Sequence, residues 1–222
     1  KLMVVFRGVN LEYFSSKNIS EKKTDALVQN WGIDRNNFII LLPGRLTKWK
    51  GQEMFIEALS LLTENYNKHN FHAVILGSDQ GRSLYSKKLS LLVERYRLNK
   101  KITFIKNCKE MPIAYELADV AISSSIEPEA FGRVAVEAQA MSKPIIASNL
   151  GGSKETILNG KSGLLFKSED SNELAKIINK LMDMSKESLS LMGEHGRKNV
   201  QKKFNVDQMC QTTFTEYKKL LK

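Results

Sequence analysis

Two cations and two carboxylates carry the chemistry legible in this sequence. Arg45 and Lys50 flank a short loop, Pro43-Gly44-Arg45-Leu46-Thr47-Lys48-Trp49-Lys50-Gly51. Gly44 lets the backbone turn there. A guanidinium fork and an ammonium point charge suit a diphosphate; a solvated basic turn is the plainer alternative. Glu129 and Glu137 bracket Phe131-Gly132-Arg133-Val134. Gly132 stands where a helix opens, and the first N–H groups of a helix form an anion site. Glu137 then lies about one and a half turns into that helix. There it can hold a ribose diol, because a carboxylate accepts two hydroxyl hydrogen bonds. Stabilising the helix dipole is the structural alternative for both carboxylates. Arg133 is either a phosphate ligand or a surface residue.

Two glycine-rich turns complete the set. Gly77-Ser78-Asp79-Gln80-Gly81-Arg82 and Asn149-Leu150-Gly151-Gly152-Ser153-Lys154-Glu155 each permit close approach to a ligand, or are plain strand-to-helix turns. Neither has phosphate-loop or dinucleotide-fingerprint spacing. No Asp-x-Asp pair, metal-ligand spacing or Gly-x-Ser-x-Gly elbow occurs. Cys108 and Cys210 have no activating His nearby and read as structural.

These residues need a scaffold that brings separate loops together. Continuous apolar runs predict strands over Phe38–Leu42, His72–Leu76, Ile102–Ile105, Val120–Ser123, Ile145–Ser148 and Leu164–Phe166. Without polar alternation, they read as strands of a parallel sheet buried on both faces. Helical spacing falls over Glu53–Leu62, Leu84–Tyr96, Val134–Met141 and Leu174–Leu181 between them. Strand–helix alternation predicts right-handed crossovers and a doubly wound α/β fold. Two more helices, Ser185–Lys203 and Asp207–Leu221, follow with no intervening strand. Phe214, Tyr217, Leu220 and Leu221 form the last one's apolar face, suited to the sheet's end or to another domain. In such a sheet ligands bind beyond the carboxyl ends of the strands, which is where the four charged residues fall.

Composition narrows the class. At 222 residues and 42% apolar, the chain can bury a core without disulfide or metal staples. No apolar run approaches the roughly 18 residues of a membrane span. The net charge is 34 − 24 = +10, which favours anionic partners without choosing among them. The late cations Arg197, Lys198, Lys202, Lys203, Lys218 and Lys219 read as solvated helix faces. They lack the interleaved aromatics of a single-strand nucleic-acid platform, so no nucleic acid is expected. No signal peptide is read and few cysteines occur, which sets a cytoplasmic expectation. The absent initiator Met suggests a fragment.

Taken in order, Gly44-Arg45…Lys50-Gly51, then Glu129…Glu137 around Phe131-Gly132, then Gly151-Gly152…Glu155 resemble the donor-binding domain of the retaining GT-B glycosyltransferases. More narrowly they resemble family 4 (group 1), which includes many bacterial lipopolysaccharide and capsule sugar transferases. The resemblance runs from Val4 to about Leu221. It implies a Rossmann-like doubly wound parallel sheet, the C-terminal half of a GT-B fold, with extra C-terminal helices. Residues 1–14 would be an interdomain lead-in, residues 15–203 the nucleotide-sugar-binding domain, and residues 204–222 a helix crossing back to a missing N-terminal, acceptor-binding domain.

The roles it implies are these. Arg45 and Lys50 hold the donor diphosphate and stabilise charge on the leaving nucleotide, in place of a metal. Glu129 contacts the transferred sugar and Glu137 the ribose. Gly44, Phe131, Gly132, Arg133 and Val134 line the phosphate and sugar. The segment Phe104–Cys108 reads the base, Cys108 through its backbone. The expected reaction is hexosyl transfer from a nucleotide diphosphate sugar to a glycan or lipid-linked acceptor of the bacterial envelope, on the cytoplasmic face of the inner membrane or peripheral to it. No metal or other cofactor is expected, and this half alone would be close to inactive. A non-catalytic nucleotide-binding or interaction module on the same fold is the competing reading. The sequence departs from the family's habits at Lys106 and Ser142, where Gly is common, at Ser124, where Pro is common nearby, and at Arg7, where Asn commonly precedes the lead-in glycine.

Overall fold

A computed structural model describes residues 3–221. Lys1, Leu2 and Lys222, the ends of the expected lead-in and final helix, lie outside the described residues, as does the side chain of Leu220. Six strands form one parallel sheet: β1 (Phe38–Pro43), β2 (Phe71–Leu76), β3 (Ile102–Ile105), β4 (Val120–Ser123), β5 (Ile145–Ser148) and β6 (Gly163–Phe166), in the order β3-β2-β1-β4-β5-β6. All six lie where the apolar runs predict them. Burial on both faces explains why. In β1, Ile40 and Leu42 enter one core while Ile39 and Leu41 enter the other; in β2, Ala73 and Ile75 oppose Val74 and Leu76. A strand with two dry faces has no position for a polar side chain unless it is paired. His72 in β2 meets that condition, its Nε2 lying 2.8 Å from Thr103 Oγ1 of β3.

Helices α1 (Glu21–Trp31), α2 (Gln52–Tyr66), α3 (Ser83–Arg95), α4 (Met111–Leu117), α5 (Arg133–Ala140), α6 (Ser153–Thr156), α7 (Ser171–Met182), α8 (Lys186–Lys203) and α9 (Val206–Leu220) connect and cover the sheet. α2, α3 and α7 cover one face; α1, α4, α5 and α8 cover the other. Two helices had no counterpart in the sequence reading. α1 is mostly polar and buries only Thr24, so its apolar stripe is faint. α4 spans seven residues with Pro112 near its start, too short to show a 3.6-residue period. Side-chain caps open the late helices: Asp170 accepts from Glu173 N (2.8 Å), Ser185 from Ser188 N (3.2 Å) and Asn205 from Gln208 N (2.7 Å).

The two ends of the chain meet. Val9 N donates to Phe204 O (2.8 Å), and Val206 N donates to Val9 O (3.2 Å). Phe6 packs edge-on against Phe204 at 5.4 Å. Beyond this joint α9 runs outward with no buried side chain among those described, and Phe214, Tyr217 and Leu221 are exposed. One late cation departs from the expected solvated face. Arg197 is half-buried and donates to the backbone carbonyls of Phe14 (3.1 Å) and Ala140, tying the lead-in to α5. Among the described residues no helix is long and apolar enough to cross a membrane.

Candidate functional site

A cleft of about 670 Å³ opens at the carboxyl ends of β1, β2, β3 and β4. It straddles the switch point between β1 and β4, where consecutive crossovers leave for opposite faces and the loops part. Arg45 and Lys50 enter from the loop after β1, Glu129 and Phe131 from the loop after β4, and Arg133, Val134 and Glu137 from α5. Gly44, Gly132 and Cys108 also line it. The two cations, the two carboxylates and Gly44, Phe131, Gly132, Arg133, Val134 and Cys108 therefore reach one cleft; the Gly151-Gly152 turn does not line it. A larger groove of about 770 Å³ lies between α3 and the β3 edge. Lys87, Lys106 and the first residue of α3 line it, but Arg45, Lys50, both carboxylates and the start of α5 do not, so the smaller cleft is the candidate site.

Lys50 and Glu129, far apart in sequence, form the centre. Lys50 Nζ lies 2.8 Å from Glu129 Oε1, and the two side chains are only 12% and 16% exposed. Ser125 Oγ donates to the same oxygen. Both donors thus hold Oε1, and no donor among the described residues reaches Oε2. Trp49 sits against both cations, its ring centroid 4.4 Å from Lys50 Nζ and 5.8 Å from the Arg45 guanidinium, a cation–π contact to each. Arg45 itself is exposed at the rim. Its backbone is pinned, for its carbonyl accepts from the buried Gln52 amide at 2.9 Å. Gly51 seats this loop against β4: φ is +69°, and a Cβ there would collide with the Ser124 backbone.

Glu137 is held differently. Its Oε1 accepts from Arg133 Nη2 at 2.8 Å, one helical turn back, and its Oε2 accepts from the Tyr115 hydroxyl at 3.0 Å. Glu137 is 11% exposed and Arg133 74% exposed. Of the two sequence readings of Arg133, the structure shows the surface residue, with its guanidinium paired to the Glu137 carboxylate. Arg133 and Val134 are the first residues of α5, where N–H groups lack intrahelical acceptors, and both line the cleft.

The second glycine turn has a role that the sequence reading put elsewhere. Gly151 and Gly152 approach the loop of Glu129 and Phe131, not open ligand space. A Cβ on Gly151, at φ +48°, would lie 2.8 Å from Glu129 N, and one on Gly152 would lie 2.7 Å from the Phe131 backbone. Gly152 N donates to Glu129 O at 2.8 Å. The pair is a saddle for the carboxylate loop. Cys108 is half-buried; its thiol donates to Glu110 O at 3.4 Å, and burial pushes its ionisation up. That suits a lining residue and not a nucleophile. Lys106 and Asn107 line the cleft beside it.

Three residues that contact the cleft's charged groups escaped the sequence reading. Tyr115 lies on a helix that was not foreseen, Trp49 stood inside the basic loop without a role, and Ser125 lay in the Glu129 stretch without one. A hydroxyl run before Glu129, Ser123-Ser124-Ser125, was the available signal for the last. Among the described residues no three His, Cys, Asp or Glu side chains come together as a metal site.

Known proteins match this arrangement. The family described as "Glycosyl transferases group 1" matches residues 23–199. A D-inositol 3-phosphate glycosyltransferase of Corynebacterium urealyticum is 31% identical over 185 residues, 82% of this chain and 43% of its own length. A solved glycosyltransferase from Rickettsia africae superposes with a TM-score of 0.95 at 32% identity, over 99% of this chain and 57% of that one. Anabaena Alr3699/HepE, solved in complex with UDP-glucose, superposes with a TM-score of 0.88 at 26% identity, over 98% and 57%. The chain spans about half the length of the curated relatives it matches. The expected Rossmann-like sheet of the GT-B type is borne out. With a family match from α1 to α8 and the motif residues gathered in one cleft, the chain belongs to the group 1 glycosyl transferases.

Proposed function

We propose that this chain is the donor-binding half of a retaining, metal-independent glycosyltransferase. It takes a nucleotide diphosphate sugar and passes a hexose-type sugar to a glycan or lipid-linked acceptor. One observation carries the reading: Arg45, Lys50 and the start of α5 converge on a cleft that also holds two carboxylates. Its volume falls in the roughly 300–1,000 Å³ range of small-molecule sites. UDP-glucose bound to the HepE relative supports a nucleotide sugar as occupant.

The roles implied by the resemblance are supported by this geometry. Arg45 and Lys50 face the diphosphate, joined by the N–H groups of Arg133 and Val134. When the bond from the anomeric carbon to the diphosphate breaks, negative charge builds on the leaving nucleotide. Fixed cations stabilise it most where water is excluded. Lys50 is already held by Glu129 and Trp49, so little ordering remains to be done on binding. Glu129, with Oε1 occupied, turns Oε2 to a sugar hydroxyl. Glu137 takes the ribose, and the backbone at Cys108 lies where the base is read. Phe131 and Gly132 frame the sugar. With Lys50 held in place and Arg45 at the rim as the cations for the diphosphate, no metal is assigned.

The acceptor site belongs to a further domain in this proposal, because the chain aligns with about half of each relative. The exposed apolar face of α9 and the exposed lead-in residues Val4, Val5 and Phe6 would meet that domain. A bacterial envelope acceptor at the cytoplasmic face of the inner membrane rests on the resemblance to envelope-sugar enzymes. Calorimetry against UDP, GDP, ADP and their sugars tests the reading. Saturable binding that Arg45→Ala abolishes supports it; no binding to any of them points to a non-catalytic module. Turnover by this chain alone at the rate of a two-domain relative contradicts the half-enzyme assignment.

A further inference from the structure

We propose that Tyr115 is the positioning residue for nucleotide recognition: its buried hydroxyl fixes the Glu137 carboxylate in the orientation that receives the ribose diol. This rests on the reading of Glu137 as the ribose ligand, and goes beyond it by naming what makes that ligand selective.

The two donors to Glu137 are not equivalent. Arg133 is a long side chain, 74% exposed, pairing with a carboxylate four residues on in the same helix. Such pairs contribute little and exchange readily with water. Tyr115 is fully buried. It comes from α4, a different element, so it fixes Glu137 relative to the sheet and not only to its own helix. Phe14 packs on its ring edge-on, at 6.1 Å between centroids. Phe14 is in turn pinned at both backbone ends: its N–H donates to Asn10 O (3.0 Å), and its carbonyl accepts from Arg197 (3.1 Å). The phenol therefore sits in a rigid seat.

The direction of the hydrogen bond is also set. Burial, then the neighbouring carboxylate, pushes Tyr115 ionisation well above its ordinary range. The phenol stays a donor and the carboxylate an acceptor. Each carboxylate oxygen accepts more than one hydrogen bond. After Tyr115 and Arg133 have taken one each, both oxygens keep acceptor capacity, and Glu137 lines the cleft. Two acceptor sites on a planar group of fixed orientation match two vicinal hydroxyls. A phenylalanine would fill the same apolar seat but leave Glu137 Oε2 without its buried donor.

The test compares UDP with 2′,3′-dideoxy-UDP by calorimetry on the wild-type chain and on Tyr115→Phe, with GDP and ADP pairs run alongside to find the tightest base. The wild type is expected to prefer the ribose form about tenfold. Tyr115→Phe is expected to weaken UDP about fivefold and to leave dideoxy-UDP within about twofold, so that the preference collapses. Glu137→Gln should remove the same preference, and adding Tyr115→Phe to it should remove nothing more. A merely structural role for Tyr115 weakens both nucleotides alike, and that outcome overturns the proposal. So does a Tyr115→Phe chain that keeps the wild-type preference, although the functional reading then stands. A wild-type chain with no ribose preference, or with no saturable nucleotide binding, overturns the ribose reading and this proposal with it. The wild type offers an independent measurement should the variant not fold. The sheltered hydroxyl proton of Tyr115 should shift in the NMR spectrum on adding UDP and stay in place with dideoxy-UDP; equal shifts with both contradict the proposal.

Discussion

Glu129 and Glu137 stand eight residues apart and are built by opposite means. Glu129 sits on a loop and owes its position to two distant segments, Lys50 from the loop after β1 and the Gly151-Gly152 saddle after β5, and to Ser125 four residues back in its own loop. Glu137 sits on a helix, whose hydrogen bonds already fix its backbone. It needs only Arg133 from its own helix and Tyr115 from α4. The donors also differ in layout. Glu129 has both on one oxygen, and Glu137 has one on each. The first arrangement leaves one carboxylate oxygen for a ligand; the second leaves part of both. A carboxylate on a loop is held by the tertiary fold, so single distant changes should take it apart. A carboxylate on a helix should tolerate loss of its exposed partner.

That contrast can be broken at its strongest point first. Gly151→Ala places a Cβ against the Glu129 backbone at a left-handed φ. It should cost about 2–4 kcal/mol in urea unfolding and abolish nucleotide binding, while Glu137 is untouched. A variant that unfolds at the wild-type midpoint would show that the saddle is soft. Lys50→Met comes next. It leaves Glu129 largely buried with only Ser125, and should destabilise by about 1–3 kcal/mol, below the full cost of breaking a deeply buried pair. The matched change at the other carboxylate, Arg133→Ala, should move stability by less than about 0.5 kcal/mol. Equal effects of the two changes would erase the distinction between loop-built and helix-built carboxylates.

Two smaller changes lie away from both carboxylates and serve as controls. Ser142 adopts φ +55° after α5, where the family commonly has Gly. Ser142→Gly should stabilise by about 0.5–1 kcal/mol without altering binding. His72 supplies a pH control. Its burial, then the Lys101 charge, holds its ionisation below the ordinary 6.5. The unfolded chain therefore takes up the proton first as pH falls. Stability from the neutral imidazole is intact above about 6.5 and declines below it. His72→Gln should flatten that decline in denaturation midpoints measured from pH 7.5 to 5; an unchanged slope would assign it to other groups.

How much was legible follows the same contrast. The strands were readable because both faces of the sheet are dry, which leaves runs such as Ile39–Leu42 unbroken by polar residues. The charged residues were readable because they fall just past strand ends, and all of them reach one cleft. What could not be read is what joins separate segments. The Lys50–Glu129 pair, the Trp49 ring between two cations and the Tyr115 hydroxyl are each contacts between elements, with no periodic trace. Gly151 and Gly152 were recognisable as a place of close approach, but the sequence does not name what approaches. α1 and α4 were missed for want of a clear apolar stripe, and Tyr115 was missed with α4.

The central claim is that Arg45 and Lys50 hold a nucleotide diphosphate without a metal. It is tested most directly by phosphorus NMR of UDP-glucose titrated with the chain in excess EDTA. Both diphosphate resonances should shift with the wild type, and the shift should be lost with Arg45→Ala and Lys50→Ala. Resonances that move only when magnesium is restored, or that move equally with both variants, would contradict it.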